Sequence, residues 1–250
     1  MKAMILAAGK GTRLLPLTEH IPKALVKIQG IPLLQHAIMY LRFFGVNEII
    51  INVHHLADKI IEFIAAHNSF GIRIEISHEK DNLLDTGGGL YNARWFFNDN
   101  KPFFLVTSDV ITNLNLEELY HFHLEKKPLA TLAVKQRQTT RELMFDDQYN
   151  LCGWHNSMTD ETLRVNKSDC YRMIAFSTVH VIDPALFDLV TENGAFSMTD
   201  LYLKLAKHHT IKGFEHNESL WYECGRIENL ELLNKSEEIK HIYRHFHTFC

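Results

Sequence analysis

The chain has 250 residues, 46% of them hydrophobic and 22% charged, with a formal net charge of -4. That length suffices for one large domain whose core folds without staples, and the mild acidity gives no electrostatic footing for nucleic acid as a partner. Its four cysteines, Cys152, Cys170, Cys224 and Cys250, form no CxxC pair, and no apolar run reaches the length of a membrane span or a secretory leader, so a reduced, cytoplasmic protein that binds no membrane is expected.

In chain order, the apolar run Ala3–Ala7 ends at Gly9 and predicts a buried strand. Leu34, Ile38, Leu41 and Phe44 recur at helical spacing, with Gly45 as a stop. Strand patterns at Glu48–Asn52, Arg73–Ser77, Pro102–Thr107 and Leu129–Val134 alternate with helical ones at Leu56–His67, Thr86–Phe97 and Leu116–Lys126. Strand–helix–strand units at this spacing predict an α/β fold, a doubly wound and mostly parallel mixed sheet of Rossmann-like type. Ligands of such sheets bind beyond the carboxyl ends of the strands, which singles out the loops after Ala7, Ser77 and Thr107.

From about residue 139 the pattern changes to a smaller α+β part. Glu142–Phe145 and Tyr149–Trp154 read as an antiparallel pair around Asp146-Asp147, Asn156–Lys167 as a surface loop, and Met173–Ile182 as a strand. Pro184–Glu192 and Met198–His208 read as helices, with Ser197 a candidate cap for the second. Ile211–Glu215 and Trp221–Glu223 are short strands, and one final helix runs from Ile227 to about His245. A single domain over 1–250 is expected, divided into a half near 1–138 and a half near 139–250 that ends in the helix.

The first loop reads Gly9-Lys10-Gly11-Thr12-Arg13-Leu14-Leu15-Pro16-Leu17-Thr18, with Pro22-Lys23 shortly after. It matches neither GxGxxG nor the P-loop, and the missing third glycine argues against a dinucleotide-binding dehydrogenase. Its parts suit a polyphosphate all the same. Two glycines permit close backbone approach, Arg13 offers a fork of donors, and Lys23 adds a second cation. A lone Gly-x-Gly would be no more than a tight turn; the two cations make it a phosphate cradle. Asp109 ends a buried strand, as a turn residue or as a carboxylate for a hard divalent ion. Asp85-Thr86-Gly87-Gly88-Gly89 precedes a helix, either as a plain helix entry or as a surface on which a flat base or a sugar lies. His54-His55 reads as a solvated or internally satisfied pair.

The stretch from Met4 through Thr18, with Pro22-Lys23-Ala24-Leu25-Val26 and Gly30-Ile31-Pro32-Leu33-Leu34, closely resembles the opening of the sugar-1-phosphate nucleotidyltransferases. The likeness extends to about Ser236 and is tight over the first thirty residues or so. It implies the nucleotide-diphospho-sugar transferase type of fold. It further implies transfer of a nucleoside monophosphate from an NTP to a sugar 1-phosphate, with release of pyrophosphate and with Mg²⁺ as cofactor. By resemblance, Ala7, Ala8, Gly9, Gly11, Thr12, Arg13, Lys23, Asp85, Thr86, Gly87 and Gly88 bind the nucleotide. Arg13, Lys23 and Asp109 are the catalytic set, and Asp109 and Glu223 hold the metal. Ser177, Thr178 and Arg226 take the sugar phosphate.

The chain departs from the family pattern at several points. Ala24 replaces a proline, Ser108 and Thr178 replace glycines, Glu223 replaces an aspartate and Arg226 a threonine. The Asp-Thr-Gly-Gly-Gly run is most similar to N-acetylmuramate 1-phosphate uridylyltransferases, with heptose and mannose 1-phosphate guanylyltransferases next. Two other readings stay open at this point. One is a cytidylyltransferase acting on phosphocholine or another non-sugar phosphate. The other is a catalytically weak regulatory protein that binds nucleotide sugars. A monomer and a homodimer are equally compatible with the sequence.

Overall fold

The computed structural model describes residues 1–168 and 171–246, so that Cys170 and Cys250 lie outside the described residues. The elements run β1 (Lys2–Leu6), β2 (Lys27–Ile28), β3 (Ile31–Pro32), α1 (Leu33–Phe43), β4 (Glu48–Val53), α2 (Ala57–Ala66) and β5 (Arg73–His78). Next come α3 (Asp85–Asn92), β6 (Phe103–Thr107), β7 (Val110–Thr112), α4 (Leu116–Lys126), β8 (Ala130–Lys135) and β9 (Arg141–Phe145). β10 (Leu151–Asn156), β11 (Glu161–Arg164), β12 (Arg172–Ile182), α5 (Met198–Leu205) and β13 (Ile211–Glu215) follow. The chain closes with β14 (Trp221–Glu223), α6 (Ile227–Lys235) and α7 (Glu237–Phe246). Among the described residues no helix is long and apolar enough to cross a membrane.

The chain forms two compact units, each drawn from separate stretches of sequence. The first comprises Met1–Leu84, Leu105–Leu114 and Leu220–Cys250. Its strands β1, β4 and β5 pair in parallel, with Ile5 opposite Ile51 and Ile51 opposite Ile76, and β6 is the other neighbour of β1. Ile49, Ile50 and Ile51 are all fully buried, the unbroken apolar run expected of a parallel strand covered on both faces. An aromatic cluster of Tyr40, Phe43, Phe44 and Phe246 joins α1 to α7 through edge-to-face contacts. β7 and β14 form a separate antiparallel pair that sets Glu223 opposite Val110.

The second unit comprises Asp85–Phe104 and Asn115–Ser219. β11, β10, β9 and β12 lie side by side in antiparallel pairs. β12 also pairs antiparallel with β8, which carries β13 in parallel on its other edge. With parallel strands in one unit and mainly antiparallel ones in the other, the mixed sheet expected from the sequence pattern is found.

Four local expectations are corrected. The segment read as a loop at Asn156–Lys167 contains β11, which pairs with β10 through Leu163 opposite Trp154. All four of its residues are exposed, so its order comes from backbone pairing and leaves no apolar alternation to read. The single helix expected from Ile227 to His245 is broken at Ser236, whose backbone is extended (φ -75°, ψ 125°). Gln29 Nε2 donates to the carbonyls of Leu233 and Ser236 there, at 2.9 and 2.7 Å, and so satisfies a helix end the periodicity does not reveal. Finally, Arg94–Phe96 and Pro184–Leu189 are 3₁₀ turns rather than α-helix, whereas Ser197 does cap α5 by accepting from the amides of Thr199 and Asp200.

Candidate active site

At the carboxyl ends of β1, β4 and β5, a buried polar brace sets the start of the glycine loop. Asn52 accepts from the Ala7 amide at 2.8 Å and donates to Glu79 Oε1 at 2.7 Å. The other oxygen of Glu79 accepts from the Leu84 amide at 2.8 Å, and its backbone carbonyl lies 2.6 Å from His54 Nδ1. Both Asn52 and Glu79 are buried, and a buried carboxylate persists only with such partners. Sequence reading had not singled out either residue. The available signal was slight: a polar residue late in the apolar β4 and an acid just past the end of β5.

Gly11 then takes a left-handed conformation (φ 68°, ψ 30°), which glycine adopts at least steric cost. A Cβ there would lie 2.9 Å from Thr18 Cγ2 and 3.0 Å from Lys23 Cβ. Thr18 Oγ1 donates to the Gly11 carbonyl at 2.8 Å. The Pro-Leu-Thr part of the motif thus acts by packing, folding the loop so that Lys23 comes back against it.

Asp109 sits in the turn between β6 and β7. The Ser108 amide donates to Leu6 at 3.0 Å, and the Cys224 amide donates to the Asp109 carbonyl at 2.8 Å. Together with the β7–β14 pairing, these bonds bring Glu223 beside Asp109 from more than a hundred residues away in sequence. Each carboxylate meets one cation of the loop. Lys23 Nζ pairs with Asp109 Oδ2, and Arg13 Nη2 pairs with Glu223 Oε1 at 3.0 Å. The Lys23 and Asp109 side chains are only 17% and 16% exposed, against 53% and 32% for the Arg13 and Glu223 pair.

Gly225 marks the point on which all of this converges. A Cβ placed there would lie 2.9 Å from Arg13 Nη2, 2.9 Å from Glu223 Oε1 and 3.4 Å from Asp109 Oδ2. The absent side chain lets two carboxylates and a guanidinium close in against the backbone of Gly225. Two hard oxygen donors suit Mg²⁺, which completes its shell with phosphate oxygens and water. Among the described residues no three His, Cys, Asp or Glu side chains gather to hold a metal, so the protein alone would supply only part of the shell. The Cys224 thiol is buried, and its pKa is pushed up by that burial and by Asp109. Arg226 stands at the start of α6 without a capping bond from its side chain.

The remaining candidates fall in the second unit, around a cavity of about 780 Å³. Asp85, Thr86, Arg137, Trp154, Phe176 and Asp200 are among its lining residues. Gly87 and Gly88 are buried, and their amides donate to the Phe196 carbonyl at 2.8 and 3.2 Å. Their role in this structure is therefore close packing of α3, with Asp85 and Thr86 left to face the cavity. On β12 the pairing with β8 is irregular between Phe176 and His180, and Thr178 has φ 56°. Ser177 is fully buried with Oγ 2.8 Å from His216 Nε2. Phe176, rather than Ser177 or Thr178, is the residue of this stretch that lines the cavity. Burial, with Lys135 and Arg137 nearby, lowers the His216 pKa to about 4 and keeps that imidazole neutral.

Comparison with known proteins adds four findings. Residues 2–143 match the family described as Nucleotidyl transferase. The catalytic subunit beta of mannose-1-phosphate guanylyltransferase from Xenopus tropicalis is 41% identical over 136 residues, which are 54% of this chain and 38% of that relative; the chain thus spans well under half of such relatives. N-acetylmuramate alpha-1-phosphate uridylyltransferase from Neisseria meningitidis serogroup B is 27% identical over 92% of this chain and 96% of its own. A UDP-glucose pyrophosphorylase structure complexed with UDP-glucose superposes with a TM-score of 0.77 at 17% identity, covering 96% of this chain and 98% of that one. This last likeness establishes the fold alone.

Proposed function

We propose, from the premise that this chain belongs to the nucleotidyl transferase family, that it transfers a nucleoside monophosphate from an NTP to a sugar 1-phosphate and releases pyrophosphate. The observation that carries the reading is the convergence of Arg13, Asp109 and Glu223 on Gly225, with Lys23 paired to Asp109. Two cations next to two carboxylates are what a polyphosphate with its counter-cation requires.

In this reading Arg13 binds phosphate oxygens through its fork of donors and Lys23 through its point charge. Asp109 and Glu223 hold a divalent metal, expected to be Mg²⁺, which when bound neutralises charge around the reacting phosphate. An oxygen of the sugar 1-phosphate forms the new bond to the α-phosphorus as the bond to pyrophosphate breaks on the opposite side. The attacking oxygen is already anionic, so no side chain has to remove a proton. What the chain supplies is orientation and charge stabilisation. Asp85 and Thr86, expected to contact the nucleotide, line the cavity of the second unit.

The uridylyltransferase relative that matches along most of its length supports UTP with N-acetylmuramate 1-phosphate as the first pair to test. The guanylyltransferase relatives support GTP with mannose 1-phosphate as the second. The test is a matrix of four NTPs against several sugar 1-phosphates and phosphocholine, scored by pyrophosphate release with and without EDTA. At least one NTP and sugar 1-phosphate pair is expected to turn over and to stop on chelation. Turnover confined to phosphocholine, or unaffected by EDTA, contradicts the reading.

A further inference from the structure

Each carboxylate assigned to the metal is already bonded to a cation assigned to the phosphates. Lys23 holds Asp109 and Arg13 holds Glu223, and a Cβ on Gly225 would lie within 3.4 Å of Arg13, Glu223 and Asp109 alike. The Lys23–Asp109 pair is largely shielded from water, and removing one partner of such a pair leaves the other charge uncompensated and costly. A divalent ion arriving alone has to take Asp109 from Lys23 and strand the ammonium. A polyphosphate arriving with the metal offers oxygens to Lys23 and Arg13 as the metal meets Asp109 and Glu223, and every charge keeps a partner.

We propose that Lys23 and Arg13 are internal counter-cations standing in the metal's place, so that this chain takes up a divalent metal only together with a polyphosphate. The proposal rests on the metal and phosphate roles given above. It deepens them by naming the form in which the ligand binds, the metal–polyphosphate complex, and by giving the two cations a role before substrate arrives. Coupling of this kind is reciprocal, so each ligand raises the affinity for the other by the same factor.

The test uses Mn²⁺ as the metal probe and inorganic tripolyphosphate as a probe without a base, with binding followed by water-proton relaxation and by calorimetry. Wild type is expected to bind Mn²⁺ alone weakly. Lys23→Gln is expected to bind Mn²⁺ alone more tightly by about tenfold, within the usual range of ligand coupling, yet to bind the Mn²⁺–tripolyphosphate complex more weakly than wild type. This reversal of sign is the signature of partner exchange. Arg13→Gln, which breaks the more exposed pair, is expected to show both signs at smaller amplitude and serves if Lys23→Gln does not fold. Unchanged or weaker binding of Mn²⁺ alone in both variants, or tighter binding of both species, overturns the proposal. Asp109→Asn in the Lys23→Gln background separates the two failures. If it leaves Mn²⁺ binding intact, the metal assignment itself falls, and the counter-cation proposal with it.

Discussion

Gly225 and Gly87 are both glycines at close approaches, and the structure separates what each is for. At Gly225 a methyl group would press on the far ends of Arg13 and Glu223, flexible groups that swing aside at little cost to the fold. Gly225→Ala is therefore expected to melt within a few degrees of wild type while displacing Arg13 and Glu223, and misplacement on this scale costs about 10²-fold in rate. Pyrophosphate release beside a thermal melt checks both halves. At Gly87 the methyl group would lie 2.4 Å from the Phe196 ring and 2.9 Å from the Phe196 carbonyl oxygen. Backbone cannot swing aside, so Gly87→Ala is expected to lose about 1–3 kcal/mol of stability to overpacking, measured by urea unfolding. Arg13, Lys23 and Asp109 stood out as candidates in the sequence, two as cations in or after a glycine loop and one as an acid ending an apolar strand. Asn52 and Glu79 did not, since their brace exists only once three strands lie side by side.

Among the elements, long buried strands and helices were read most directly, and two misreadings have causes outside the apolar period. β4 and α1 declare themselves through buried aliphatics. β11 has no buried residue, and the α6–α7 break depends on the side chain of Gln29, about two hundred residues away. The second unit also carries three buried histidines that the sequence shows only as scattered imidazoles. Burial lowers the pKa of His123 to about 4, of His180 to about 3 and of His216 to about 4, Asp183 partly opposing the shift at His123. A histidine lowered in the folded state takes up its proton more readily once unfolded, near the ordinary value of about 6.5. The stability these groups contribute is therefore present above about pH 6.5 and is lost as pH falls towards 4. The urea midpoint is expected to drop over that window. His123→Gln should flatten the decline, and a midpoint independent of pH from 7 to 4.5 would contradict the assignment of neutral buried imidazoles.

At the scale of the whole molecule, the sequence announces a nucleotide-binding α/β chain through its first thirty residues and says much less about the rest. The parallel strands of the first unit follow from apolar runs at regular spacing. The interleaving of two units, each built from separate stretches, follows from strand pairings such as β7 with β14, which no local pattern encodes. That pairing carries Glu223 to Asp109 and completes the charge constellation from which nucleotidyl transfer is proposed. The decisive measurement is the rate of pyrophosphate release on the most productive NTP and sugar 1-phosphate pair, for wild type and for Asp109→Asn, with both proteins shown to be folded by circular dichroism. Wild type should release one pyrophosphate per nucleotide sugar formed, and Asp109→Asn should fall by about 10³-fold or more, as loss of a group holding transition-state charge does. A folded Asp109→Asn protein turning over at close to the wild-type rate would contradict it.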